Sequence, residues 1–318
     1  MRTLLSHPVL FFLLLAIVVI APINAAGALA AGLVLALFNL VPASIPVATW
    51  AKKTLAVAVV GLGFGIQLSA AAALGREYAV TLMSLVILTL LAAWWVTRWL
   101  KVDSKTGFLI ASGTAICGGS AIAAVAPAIR ARTDQIAVAL GCVFILNALA
   151  LLLFPWVGQL LNLEPELFGV WAALAIHDTS SVVGAAQAYH VDAVAPATTL
   201  KLARALLIVP VVLVGVWLFN TQAPSARATL SKVPSFIIWF VLAMVVANVV
   251  VTWWPQAGVV FDSLTSMARQ LLVASLFFVG ASLRVSLIRQ AGLKPILLAT
   301  LLWVGVAAGS LAALLHPS

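Results

Sequence analysis

Long apolar runs dominate the chain, separated by charged or proline-containing stretches at intervals of about twenty residues, the length that spans a bilayer as helix. The pattern predicts an all-α polytopic membrane protein with about eleven transmembrane segments. They fall near 8–22, 25–41, 53–69, 79–99, 107–127, 134–160, 168–189, 195–219, 235–253, 267–284 and 294–315. No hydrophilic insertion is large enough to be a separate domain, and the longest loop, Asn220 to Pro234, only links two halves. Residues 1–318 therefore read as one integral membrane domain. The start imitates a secretory signal: Arg2, an apolar run from Val9 to Ala21, then small residues. A second apolar run begins at Ala25 after only Pro22-Ile23-Asn24, which favours an uncleaved helical hairpin.

Two of the segments carry polar interruptions. One reads Gly113-Thr114-Ala115-Ile116-Cys117-Gly118-Gly119-Ser120, the other His177-Asp178-Thr179-Ser180-Ser181. Hydrocarbon offers no hydrogen bonds to loosened backbone or to a carboxylate, so such breaks need protein or water around them. Two broken helices in one bundle are the usual place for a transported solute or ion. The expectation is a transporter domain whose site lies where the two breaks meet. Repetition accompanies them: Ser120 to Pro127 and Ser181 to Ala188 have similar surroundings, and Phe64-Gly65-Ile66-Gln67-Leu68 echoes Val279-Gly280-Ala281-Ser282-Leu283. An internal inverted repeat would account for such echoes.

Composition sharpens the class. Of the residues, 64% are hydrophobic and 8% charged, with mean hydropathy +1.21, against roughly a quarter charged in a soluble domain. The net charge of +9 comes from basic residues scattered singly, so no nucleic-acid partner is expected. If the segments alternate across the bilayer, one side collects Arg2, Lys52, Lys53, Arg98, Lys101, Lys105, Arg227, Lys232, Arg284, Arg289 and Lys294. The other collects Arg76, Arg130 and Arg132, while Lys201, Arg204 and Arg269 lie within segments. The positive-inside rule then puts the N-terminus in the cytoplasm and the C-terminus in the periplasm. Cys117 and Cys142 lack metal-ligand or disulfide spacing, and no cofactor or metal is expected. Trp50, Trp94, Trp95, Trp99, Trp156, Trp253 and Trp254 fall near segment ends as interfacial anchors, not as a ligand cage.

Each candidate residue has two readings. Asp178 is a proton or cation site or a counter-charge, or else lies near an interface in a segment drawn too long. His177 shares a proton with it or is a hydrogen-bonded packing residue. Lys201 and Arg204 share one helical face: either they line an anion path, or long stems carry both charges to an interface. Gly118 and Gly119 allow backbone that other residues adopt only at a cost. Ser120 can cap the half-helix that follows it, as Thr179, Ser180 and Ser181 can in the second segment. Half-helix N-termini offer free amides and partial positive charge, which suits an oxyanion, whereas Gly, Ala and Ser also serve plain helix packing. Asn24, Gln67, Asn147 and Asn248 are isolated membrane polars, read as structural hydrogen-bonders.

Gly113 to Ala124 with the following Ala126-Pro127-Ala128-Ile129, then Ile176 to Val183 and Lys201-Leu202-Ala203-Arg204, resemble the YeiH-type family of bacterial inner-membrane proteins, to which sulfate export is ascribed. Order and spacing match along nearly the whole chain. That family usually has Ala-Gln after His-Asp-Thr where this chain has Ser180-Ser181. More distantly the pattern is similar to the bile acid:sodium symporter and cation:proton antiporter superfamily, whose members cross two broken helices at mid-membrane. The resemblance implies a core domain moving against a panel domain.

These readings lead to a multi-pass secondary transporter of the bacterial inner membrane, exporting a small anion, with sulfate or a sulfonate favoured. The substrate and ion site would comprise Thr114, Gly118, Gly119, Ser120, His177, Asp178, Thr179, Ser180, Ser181, Lys201 and Arg204. Its partners would be the anion, a coupling proton or sodium, and the lipid bilayer, with room for a homodimer. The rivals are a cation:proton antiporter using Asp178 and an intramembrane serine hydrolase pairing Ser120 with His177. The chain has no Walker A sequence, so an ion gradient or the membrane potential would supply the driving force.

Overall fold

Every regular element among the described residues of this computed structural model is helical, as the apolar periodicity requires; residues 7–20, 25–38, 40–42, 44–220, 235–282 and 292–315 are described. The helices are α1 (His7–Ile20), α2 (Ala25–Leu37), α3 (Val47–Gly63), α4 (Leu68–Glu77), α5 (Ala79–Trp99), α6 (Ser104–Ala115), α7 (Gly119–Ala128) and α8 (Thr133–Leu160). They continue with α9 (Pro165–Ala175), α10 (Thr179–Tyr189), α11 (Val194–Ala205), α12 (Ile208–Leu218), α13 (Ser235–Trp253), α14 (Gly258–Ser282) and α15 (Leu293–Leu315). Short 3-10 turns, Val191–Ala193 and Pro255–Ala257, lead into α11 and α14. Five continuous stretches are long and apolar enough to cross a membrane: Ala79–Trp99, Thr133–Leu160, Val191–Leu218, Pro255–Ser282 and Leu293–Leu315. Trp94, Trp95, Trp99, Trp156, Trp253 and Trp254 are all exposed near helix ends, as interfacial anchors would be.

Contacts divide the chain into two compact units, one from residues 1–70 and 235–285, the other from 71–234 and 286–318. In the first unit α14 packs along α2 and α3, and α13 along α3. Phe11, Leu35, Phe277 and Phe278 fill its core, with Phe11 and Phe277 ring centroids 5.2 Å apart. Gly32 and Gly280 let α2 and α14 touch backbone to backbone: a Cβ on Gly32 would lie 2.8 Å from Ala281 N, and one on Gly280 2.8 Å from Leu33 N. Close approach at small residues is how helices associate where lipid is as apolar as the side chains.

The expected segment 53–69 is not one helix. α3 ends at Gly63 and α4 starts at Leu68, across an unwound Phe64–Gln67. Asn248 of α13 repairs the gap, accepting from Leu68 N at 3.1 Å and donating to Ile66 O at 2.9 Å. A side-chain amide thus replaces the ladder bonds that the break removes. The echo of this break at Val279–Leu283 runs into Leu283, outside the described residues, as do Arg2, Pro22-Ile23-Asn24 and residues 221–234.

The second unit departs most from expectation. Segments 107–127 and 168–189 are both broken, but neither runs from end to end: each folds back as a re-entrant hairpin. For the first, the start of α6 and the end of α7 lie together. Lys105 Nζ donates to Arg130 O at 3.0 Å, and Gln135 Nε2 of α8 donates to Asp103 Oδ1 at 2.7 Å. Phe108 and Ile129, one from each arm, both abut Gly215 of α12. For the second, Tyr189 at the end of α10 stacks on Phe168 at the start of α9, centroids 3.9 Å apart, and its hydroxyl donates to Leu163 O. With arms of 12, 10, 11 and 11 residues, each reaches only about 15–18 Å at 1.5 Å per residue.

α8 relates the two hairpins. Its first turn, through Gln135, sits at the mouth of the first hairpin. Its last turn, at Gly158, meets Tyr189 at the mouth of the second. The hairpins therefore enter from opposite ends of a 28-residue helix, the form that an inverted repeat takes. α11 and α12 run back between the same two ends as one continuous stretch, as expected for 195–219, with 3-10 bonds only at Leu206-Leu207.

Candidate functional site

Local sequence dictates both arms of each hairpin. Asp103 caps α6, accepting from Thr106 N at 3.0 Å. Glu164 and Pro165 start α9 with a proline at the first helical position, where its missing N–H costs nothing. Each hairpin then turns in three residues, Ile116-Cys117-Gly118 and Ile176-His177-Asp178. The structure pairs Ala115-Ile116 with Ala175-Ile176 and Ser120 with Ser180, one residue off the repeat expected from Ser120 and Ser181. Gly118 has φ +65, a region that side chains enter only at a cost.

The tips meet at mid-depth. A Cβ on Gly118 would lie 3.5 Å from Asp178 Cα and Cβ. Asn147, halfway along α8, accepts from Asp178 N at 3.2 Å. The two breaks are therefore one place, reached by opposed tips rather than by crossing spans.

Two cations close the C-terminal ends of the first arms, α6 and α9. Lys201 and Arg204 are fully buried, which excludes the reading in which they reach an interface. Arg204 Nε and Nη2 donate to Ala115 O at 2.7 Å and Thr114 O at 2.8 Å. Its Nη1 donates to Ala173 O at 3.1 Å and Leu174 O at 2.5 Å. Lys201 Nζ donates to Ile176 O at 2.6 Å and Ala173 O at 3.4 Å. Ser112 O and Gly113 O receive Ile116 N and Gly118 N, so all four terminal carbonyls of α6 are satisfied. Most of the guanidinium donors that sequence reasoning assigned to an anion are thus spent on backbone. What they supply is positive charge at the negative ends of α6 and α9.

The N-terminal ends of the second arms, α7 and α10, are finished differently. Asp178, not a hydroxyl, caps α10, accepting from Ser180 N at 3.2 Å and from Ser180 Oγ. Ser120 does not cap α7. Gly118 holds the cap position and supplies no side chain, so the first amides of α7 point past an empty cap. Thr114 Oγ1, Asn147 Nδ2 and both His177 ring nitrogens are buried without a hydrogen-bond partner among the described residues. Buried polar atoms are rarely left so. Among the described residues His177 makes no hydrogen bond to Ser120 or Asp178. Lys201 and Asp178 form no ion pair among the described residues.

Gly119, Ser120, Asp178 and Ser180 are partly accessible, while Thr114, Gly118, His177, Thr179, Ser181, Lys201 and Arg204 are buried. Contacts join Gly118 to Asp178, Asp178 to Ser180, Arg204 to Thr114, and Lys201 to the turn that carries His177. Sequence reasoning set Asn147 aside as a structural amide. The signal that could have found it was the cost of a lone amide within an apolar helix.

No solved structure matches the chain. A family model described as conserved hypothetical protein 698 matches residues 10–299. Relatives include a UPF0324 membrane protein of Photobacterium profundum, 45% identical over 306 residues, covering 96% of this chain and 91% of that protein. Another, from Shewanella oneidensis, is 45% identical over 308 residues, covering 96% and 95%. A third, from Geobacter sulfurreducens, is 41% identical over 310 residues and covers 96% of each. The chain belongs to the conserved hypothetical protein 698 family of UPF0324 membrane proteins, the same YeiH family that its motifs resemble.

Proposed function

We propose that this protein is a secondary transporter of the bacterial inner membrane that exports a small anion, with sulfate or a sulfonate the favoured class, bound where the two hairpin tips meet. The carrying observation is the asymmetry of the four half-helix ends. The negative ends of α6 and α9 are covered by Arg204 and Lys201, whereas the positive end of α7 has no side-chain cap. Half-helix dipoles cancel overall, so two cations against the single carboxylate of Asp178 leave the tips net positive. The Gly119 and Ser120 amides with Thr114, Asn147 and His177 supply hydrogen bonds to an oxyanion without a dedicated charge for each oxygen.

The basic loops support an orientation. Because the first hairpin folds back, Arg130 and Arg132 lie at the same end as Lys101 and Lys105. Of the three basic residues on the sparse side, only Arg76 remains there. The positive-inside bias thus strengthens, with that end cytoplasmic, the N-terminus inside and the C-terminus periplasmic. Removing two crossings leaves the termini on opposite sides.

The test is flux of labelled sulfate, then of a sulfonate, into sealed proteoliposomes holding purified protein, with and without a membrane potential or pH gradient. Saturable, gradient-dependent flux is expected. Flux of neither anion in any gradient, from monodisperse protein, overturns the reading. Proton release on adding sodium or potassium would favour the cation:proton antiporter, which the commitment of Asp178 to the α10 cap argues against.

A further inference from the structure

A side chain of α11 hydrogen-bonds to both hairpins. Arg204 donates to Thr114 O and Ala115 O of the first and to Ala173 O and Leu174 O of the second. Its neighbour Lys201 donates only to the second, at Ala173 O and Ile176 O. Both are fully buried on α11, so water cannot replace them cheaply. A guanidinium presents its N–H groups as a rigid planar fork, whereas an ammonium is a point charge on a flexible stem. Only the former can hold two helix ends at fixed mutual geometry.

We propose that Arg204 is a positioning residue that latches the two hairpin tips together, so that the tips loosen jointly rather than one at a time. The latch stands on geometry; its bearing on transport rests on the tips being the anion site. Losing it leaves Thr114 O and Ala115 O of α6 without donors in a dry interior, at the cost of unmade buried hydrogen bonds. α6 then slackens at Cys117, the residue next to the tip glycine and itself 3% exposed. An Arg204→Lys variant keeps the charge and cannot span both ends. A Lys201→Gln variant keeps the fork and should leave the first tip closed.

Cys117 itself reports the outcome. In a Cys142→Ala background, Cys117 in purified protein is reacted with a small membrane-permeant maleimide and the modification rate followed by mass spectrometry. Arg204→Lys should raise that rate at least tenfold, with Lys201→Gln within twofold of the parent. Equal rates in parent and Arg204→Lys overturn the latch, and so does equal acceleration by both variants. If Arg204→Lys does not reach the membrane, hydrogen exchange of the unmutated protein decides. Peptides covering 113–120 and 173–181 should open together with matching rates, and independent opening overturns the proposal. Neither readout needs a known substrate. Tip loosening without anion flux would leave the latch standing and sink the transport reading; flux with independent tips would do the reverse.

Discussion

Gly118→Ala isolates the geometry of one tip with one methyl group. Gly118 has φ +65 and ψ −124, a region outside the wells open to L-residues, which costs on the order of 1–3 kcal/mol for a residue with a Cβ. The new Cβ would lie 3.2 Å from Val143 Cγ1 and 3.5 Å from Asp178 Cα. The valine contact is tight, and Asp178 is fixed by its own bonds to Asn147 and Ser180. Asp178 cannot retreat without moving the other tip. At about 2–4 °C per kcal/mol for domains of 150–250 residues, melting in detergent should fall by roughly 2–12 °C. Anion flux should be lost while protein still reaches the membrane. Gly119→Ala is the matched control: no unusual φ, a Cβ no closer than 3.4 Å to Phe144, and a helical first-turn position that alanine favours. Sequence reasoning treats the two glycines alike; the structure separates them. Melting and flux in Gly118→Ala indistinguishable from Gly119→Ala would refute the tip geometry.

Asp178→Asn keeps a residue that caps well, so melting should change by no more than about 2 °C, whereas Asp178→Ala should lose a cap worth about 1 kcal/mol. Any pH dependence of flux should vanish in Asp178→Asn, and its persistence would relegate the carboxylate to structure. Cysteines at Val102 and Ala131 should be labelled by an impermeant reagent from the same face, and one at Asn162 from the opposite face. Labelling of 102 and 131 from different faces would restore a crossing segment and discard the hairpin. A reporter fused after Ser318 should behave as periplasmic; cytoplasmic activity would discard the orientation. Asn248→Leu strips Leu68 N and Ile66 O of their partners and should cost about 1–3 kcal/mol, read as a lower melting temperature, while wild-type melting would make that bridge dispensable.

What sequence alone determined is the solvent and the places of interest. Hydropathy requires a bilayer, because a chain with 8% charged residues cannot satisfy water over a folded surface. Polar residues inside apolar runs must be sheltered, which marks 113–120, 177–181, Lys201 and Arg204 before any contact is known. Only tertiary structure decided what those residues do. An apolar stretch has the same hydropathy whether it crosses or folds back, so segments 107–127 and 168–189 read as spans. The distinction rests on pairings such as Lys105 with Arg130 and Tyr189 with Leu163. Likewise the spacing of Lys201 and Arg204 predicts a shared face but not what that face meets. Arg204 reaches Thr114, 90 residues away in the chain, and helical periodicity carries no information over that distance. Capping followed the same logic: a serine after two glycines has the composition of a cap, but the backbone at Gly118 moved the cap position two residues earlier, to a residue with no side chain to cap α7.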